Sequence, residues 1–283
     1  IHIEMLARPR IFFAEQRIVE NLQRLIDSEA FTKFDAERDL IESHERRLGI
    51  ELDAVQLEAI HAALQSKVLI ITGGPGTGKT TLVQFIISLL SRRIPAISLA
   101  APTGRAAKKL TETSGKEATT IHRLLEIGYV SNKKIDEEID EEMDEEIDEE
   151  IDEEIDEEID EEIDEEIDEE IKKTGFMFQR NRGNPLEAEL LIIDETSMID
   201  TELMDHLLEA VGSSARLILV GDVDQLPSVG PGMVLRDLIH SEMIPVVQLE
   251  KIFRREKNSL ITNIAHDVRL ENVIKLPRHE NKE

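Results

Sequence analysis

The sequence predicts an α/β fold built on a doubly wound parallel sheet with helices on both faces. Three observations carry the prediction. Short continuous apolar runs at Val68-Leu69-Ile70-Ile71, Leu190-Leu191-Ile192-Ile193 and Leu217-Ile218-Leu219-Val220 are separated by stretches with helical periodicity. Strands that are apolar on both faces need cover on both faces, which parallel sheets obtain from crossover helices. A glycine-rich loop, Gly73-Gly74-Pro75-Gly76-Thr77-Gly78-Lys79-Thr80, joins the first run to an apolar helical stretch. An acid pair, Asp194-Glu195, follows the second run directly.

Taken in order, residues 8–48 carry apolar residues at helical spacing among many charges and read as helical. Residues 52–64 read as the next helix. The strand 68–71 follows, then the glycine-rich loop, then a helix over 81–87. Residues 96–101 form a weaker strand, with a helix over 104–112. In the second half the strand 190–193 precedes a helix over 200–211, the strand 217–220 a helix over 233–240, and the strand 246–249 a helix over 258–269.

The loop has the pattern G-x-x-x-x-G-K-T, a complete phosphate cradle. Its glycines let successive backbone N–H groups turn inward on phosphate oxygens without a Cβ in the way. Lys79 supplies a positive charge for the β- and γ-phosphates, and the Thr80 hydroxyl can ligate Mg²⁺. The helix that begins here adds its positive end. Gly74, Pro75, Gly76, Thr77, Gly78, Lys79, Thr80 and Thr81 are thus the expected contacts to a nucleoside triphosphate.

Further residues complete a cleft. An acid at the end of a buried strand, Asp194, can reach the cation on Thr80, and Glu195 can polarise the attacking water. Gln225, in the turn Gly221-Asp222-Val223-Asp224-Gln225, can sense the γ-phosphate from the carboxyl edge of the sheet. Arg254 can stabilise transferred charge as an arginine finger. The Gln56 amide can pair with adenine; a helix-surface glutamine is the plain alternative.

Composition narrows the setting. There is no cysteine, hence no disulfide and no thiolate metal site, which fits a reducing, cytoplasmic compartment. No apolar run approaches a membrane span, and no signal-peptide pattern opens the chain. The net charge of −28 is misleading. Between Ile135 and Glu170 the unit Ile-Asp-Glu-Glu occurs nine times, with Met143 once replacing Ile. That segment holds 27 of the 61 acidic residues, leaving 34 acids against 33 Lys and Arg elsewhere. Any nucleic-acid contact is therefore local, from basic clusters such as Arg105/Lys108/Lys109. As a helix the repeat would drift by about 40° per unit and never keep one apolar face. It reads as a solvated helix or a disordered loop; an expanded low-complexity insertion and a mimic of nucleic-acid charge both fit.

Leu52-Asp53-Ala54-Val55-Gln56, the loop at 73–81, Ala101-Pro102-Thr103-Gly104-Arg105-Ala106-Ala107, Thr120-Ile121-His122-Arg123-Leu124-Leu125, Asp194-Glu195-Thr196-Ser197-Met198, the stretch 221–232 and Ile252-Phe253-Arg254 fall in the order of superfamily 1 helicase motifs. The chain resembles the RecD-like helicases that act outside a RecBCD complex, over about residues 50–269. The resemblance implies a RecA-like, P-loop first motor domain, Mg-ATP hydrolysis, and 5′→3′ movement on single-stranded DNA or DNA with a 5′ tail. It makes Gln56 the adenine reader and Lys79 the phosphate lysine. Thr80 and Asp194 would hold Mg²⁺, with Glu195 as catalytic acid; Gln225 would couple ATP to DNA, and Arg254 would reach the γ-phosphate. It places Pro102, Thr103 and His122 on the DNA track, with a core or capping role open for His122. Where the family usually has glutamine after the last motif's arginine, this chain has Arg255.

The resemblance also divides the chain. Residues 1–50 form an N-terminal helical segment, 51–250 the motor domain and 251–283 the start of a second one. The family's pin hairpin falls at 127–183, with strands at 127–130 and 175–179 and the repeat 135–170 at its tip. The first residue is Ile1 and the later motifs have no counterpart after Arg254, so a fragment or processed product is expected, one that binds ATP-Mg but unwinds little alone. An ATP-binding fragment without motor activity, a relaxase-type motor, and an acidic protein that captures basic partners are the competing readings. Protein partners are not specified.

Overall fold

The computed structural model of the protein describes residues 9–28, 32–34, 38–128 and 177–251. Its elements are α1 (Pro9–Asp27), α2 (Arg38–Leu48), α3 (Ala54–Gln65), β1 (Val68–Gly73), α4 (Lys79–Leu90), β2 (Ile97–Ala101), α5 (Gly104–Ser114), β3 (Thr119–Thr120), α6 (Ile121–Leu124), β4 (Ile127–Gly128), β5 (Met177–Phe178), β6 (Leu190–Ile193), α7 (Thr201–Ala210), β7 (Arg216–Gly221), α8 (Val234–His240) and β8 (Val246–Leu249).

Six strands form one sheet in the order β3-β2-β6-β7-β1-β8, all parallel. The reason lies in the strands' side chains, which alternate between two apolar cores. Leu69 and Ile71, Leu190 and Ile192, and Ile218 and Val220 pack with Ile60 of α3 and Leu82, Phe85 and Ile86 of α4. Val68 and Ile70, Leu191 and Ile193, and Leu217 and Leu219 pack with Leu22 of α1, Leu207 of α7 and Leu235 of α8. Each such side chain contributes about 1.5–3 kcal/mol on burial. A strand with both faces apolar gains this only when sandwiched, so the doubly covered sheet follows from the sequence.

Helix starts are set by short polar side chains. The Asp53 carboxylate accepts from the Gln56 N–H at 2.8 Å, while the Gln56 side chain accepts from the Asp53 N–H at 3.1 Å, a reciprocal cap on α3. Thr103 caps α5 and Asp200 caps α7. At the amino edge of the sheet, the buried Arg216 guanidinium donates to the carbonyls of Ala63, Leu64 and Ser66 at the end of α3, and to Thr32.

Within the stretch 8–48, read as helical, α1 and α2 are two separate helices, and residues 32–34 are not helical. Here the backbone turns outward for its hydrogen bonds. The Phe34 N–H donates to Leu64 O at 3.1 Å, and the Thr32 and Phe34 carbonyls accept from Arg216 and Gln65. α1 lies instead along α7. Arg10 pairs with Glu202 at 2.8 Å, Arg17 with Asp205 at 2.9 Å, and Arg24 donates to the carbonyls of Leu208 and Val211 at the end of α7. The edge strand β3 and the 3₁₀ turn Thr196–Met198 were not foreseen. The acidic repeat, the outer parts of the two strands expected at 127–130 and 175–179, the helix expected at 258–269, and Arg254 lie outside the described residues.

Candidate functional site

The strand order decides what meets at the carboxyl edge of the sheet. β1 delivers the glycine-rich loop, and β6 delivers Asp194-Glu195. β7 lies between them and delivers Asp222. With about 4.8 Å between neighbouring strands, the loop and the acid pair are separated by roughly 10 Å, room for a phosphate group and a cation.

The loop is tight for stated reasons. Gly76 and Gly78 have φ of +81° and +87°, where a Cβ is strained. Gly73 has no space for one: it would lie 2.7 Å from the Leu249 carbonyl oxygen and 2.8 Å from Thr77 Oγ1. The buried Thr77 hydroxyl donates to Gly74 O at 2.8 Å and holds the turn. Lys79 begins α4, and its ammonium donates to Gly73 O at 2.6 Å and Gly74 O at 3.3 Å, over the loop. Thr80 and Thr81 follow in the first turn of α4, whose N-terminal N–H groups add a positive pole.

Three acids face this lysine. Burial pushes the Lys79 ammonium below the usual lysine range, while Asp222, then Glu195 and Asp194, pull it back up. Burial likewise pushes the Asp194 carboxyl above its usual range; the Glu195 N–H, donating to Asp194 Oδ1 at 2.9 Å, works the other way, and the Glu195 charge raises it again. Glu195 itself stands in the left-handed region at φ +52°, and its Oε2 is buried without a hydrogen-bond partner. A buried carboxylate oxygen with no donor is suited to a cation or an activated water. No group of three or more His, Asp or Glu arranged to hold a metal by themselves occurs among the described residues.

Asp222 was missed as a site residue by sequence reasoning, although it directly follows a predicted strand. It is 3% exposed, its carboxylate accepts from the Asp224 N–H at 3.1 Å, and its carbonyl accepts from the Gln225 N–H. Gln225 is exposed, and its side-chain oxygen accepts from the Ser197 hydroxyl at 3.4 Å, joining the turn after β7 to the turn after β6. Beyond it the chain folds onto the start of α7, where the Thr201 N–H donates to Pro231 O at 2.9 Å. Gly232, at φ +101°, packs against Thr201.

The other expected residues spread out from this centre. Gln56 is buried, with its side-chain oxygen engaged in the cap of α3. Pro102 and Thr103 link β2 to α5, and Thr103 caps that helix by accepting from the Ala106 N–H at 3.3 Å. His122 is half-buried on α6, its ring 6.0 Å from that of Phe178.

A family model described as "AAA domain" matches residues 56–231. The chain is 36% identical over 196 residues to the RecBCD enzyme subunit RecD of Mycobacterium tuberculosis, covering 65% of this chain and 28% of that protein. It is 32% identical over 200 residues to the ATP-dependent RecD2 DNA helicase of Deinococcus radiodurans, covering 71% of this chain and 21% of that protein. To the ATP-dependent DNA helicase dda of Enterobacteria phage T4 it is 30% identical over 237 residues, covering 82% of this chain and 43% of the other. It thus spans less than a third of the length of the first two. The matched span holds the phosphate loop, the acid pair and the turn after β7, and the chain belongs to the AAA domain family, within which it is a RecD-like superfamily 1 helicase motor domain.

Proposed function

We propose that this chain hydrolyses Mg-ATP to drive 5′→3′ movement along single-stranded DNA, or DNA with a 5′ tail, as the motor of a cytoplasmic DNA helicase. The observation that carries the reading is the convergence of Lys79, Asp194, Glu195 and Asp222 at the carboxyl edge of one parallel sheet. Its similarity to ATP-dependent DNA helicases supports it.

In this reading the backbone N–H groups of residues 74–81 and the Lys79 ammonium hold the β- and γ-phosphates, and the Gln56 amide reads adenine. Thr80 and Asp194 would hold Mg²⁺, which would neutralise charge developing on the phosphates. Glu195 orients a water in line with the γ-phosphorus and takes its proton as the new O–P bond forms and the bond from the γ-phosphorus to the β–γ bridging oxygen breaks, so that ADP leaves with that oxygen and phosphate remains. Gln225 senses the loss of the γ-phosphate and passes it through Ser197 to the neighbouring turn. Arg254 would reach the γ-phosphate from outside the described residues. Pro102, Thr103 and His122 line the DNA track, gripping backbone rather than reading bases. The ladder of β4 and β5 is the root of the pin that carries the acidic repeat.

Steady-state ATP turnover with and without oligothymidine tests the proposal. Turnover that rises with single-stranded DNA and not with blunt duplex is expected. Turnover indifferent to DNA would overturn the motor reading, and binding of ATP without any turnover would favour the fragment reading.

A further inference from the structure

β4 and β5, which lie on either side of residues 129–176 in the sequence, are held together by more than their ladder. Ile127 pairs with Phe178 and Gly128 with Met177 in antiparallel register. The Gln179 and Arg180 N–H groups donate to the carbonyls of Glu126 and Leu125 at 2.8 and 3.0 Å. The Arg180 guanidinium meets Glu126 Oε1 at 2.7 Å and donates to Pro185 O at 3.3 Å. At the centre stands Phe178, half-buried against the core that includes Leu207 and Leu191. Its ring centroid is 6.0 Å from that of His122 on α6 and 5.0 Å from that of His206 on α7, tilted by 40° and 58°. Three segments distant in sequence thus meet ring to ring.

We propose that Phe178 is a positioning residue for His122, so that a DNA contact on α6 depends on β5. The proposal rests on the assignment of His122 to the DNA track. Both separations lie within the 4.5–7 Å range in which tilted aromatic rings attract. His206 on α7, next in sequence to the Asp205 that pairs with Arg17 of α1, gives the Phe178 ring a second ring contact. A ring anchored by a contact with α7 and by the apolar core can set the position of the imidazole that lies against it. Leucine at 178 would keep apolar volume but give His122 no ring to lie against.

The test compares Phe178→Leu, Phe178→Tyr and His122→Ala in the full chain. ATP-analogue binding confirms that each variant is folded. The ring-proton resonances of His122 are followed by NMR without DNA, and affinity for a labelled oligothymidine is measured separately. F178L is expected to shift the His122 resonances and weaken DNA binding about fivefold, the size of a typical aromatic pair. F178Y, which keeps the ring, should restore both. The double variant H122A/F178L should bind DNA no more weakly than H122A alone, because both changes remove the same contact. His122 resonances unmoved by F178L would overturn the proposal outright. Moved resonances with DNA affinity intact in both F178L and H122A would instead remove His122 from the DNA track and leave only the ring contact.

Discussion

Glu195 combines two features that work against folding, and their removal should make the protein more stable while it stops working. An L-residue at φ +52° carries about 1–2 kcal/mol of steric strain. A buried carboxylate oxygen without a donor, here Oε2, carries about 1–3 kcal/mol more. Glu195→Ala removes the carboxylate and keeps the strain. Glu195→Gly removes both, but adds about 0.5–1 kcal/mol of freedom to the unfolded chain. Alanine is therefore expected to stabilise by about 1 kcal/mol, and glycine by about 0.5 kcal/mol beyond alanine, the surplus of relieved strain over added freedom. In a chain of this size, 1 kcal/mol moves Tm by about 2–4 °C. Thermal and urea unfolding of the three proteins reads the stabilities, and ATP turnover should fall about 10²–10⁴-fold in both variants. Two variants less stable than the parent would show that Glu195 holds its turn through favourable contacts. Glycine no better than alanine would show that the turn is unstrained at this residue.

Lys79→Met should lower turnover about 10²–10³-fold, the range for losing one donor to developing charge. Lysine holds phosphate only while protonated, and burial sets Lys79 below its ordinary 10.5, so nucleotide affinity should decline early on the alkaline side. Asp222→Asn removes the strongest acidic pull on Lys79 and should move that decline to lower pH in titrations with a fluorescent ATP analogue; a move to higher pH would refute the assignment. Gly73→Ala forces its Cβ to 2.7 Å from the Leu249 carbonyl oxygen, and should destabilise by about 1–3 kcal/mol in chemical denaturation. Arg216→Met strips donors from the carbonyls of Ala63, Leu64, Ser66 and Thr32, and should cost about 2–4 kcal/mol by the same measurement. Deleting 135–170 removes 27 carboxylates and should tighten DNA binding at low salt, an effect that fades as the Debye length falls from about 30 Å at 0.01 M to about 8 Å at 0.15 M. Equal affinities of the two chains at low salt would sink that expectation.

The sheet was legible because its strands announce themselves. A run such as Leu190–Ile193, apolar at every position, cannot lie at a surface, and it forms β6 over those same residues. The glycine-rich loop was legible because its spacing has one use. What stayed hidden depends on partners far away in sequence. The break between α1 and α2 exists because Leu64, Gln65 and Arg216 offer the backbone at 32–34 better partners than a helix would. The left-handed turn at Glu195 gives no local sign, since glutamate is not a residue that favours it. The place of Asp222 in the cleft follows from β7 lying between β1 and β6, an order that no periodicity reveals. The ring contact of His122 with Phe178 joins residues more than fifty positions apart in the sequence.

The turn after β7 spans the protein's whole range of environments in a few residues. Asp222 is 3% exposed at the floor of the cleft, and Val229, seven residues on, is as exposed as an isolated side chain. Between them Gln225 is tied to the turn that bears Glu195 by way of Ser197. A short length of chain therefore connects the chemistry to open water. A dye placed at Val229 would disturb no packing and would report on the occupancy of the cleft from outside, the natural vantage point for timing a catalytic cycle in this molecule.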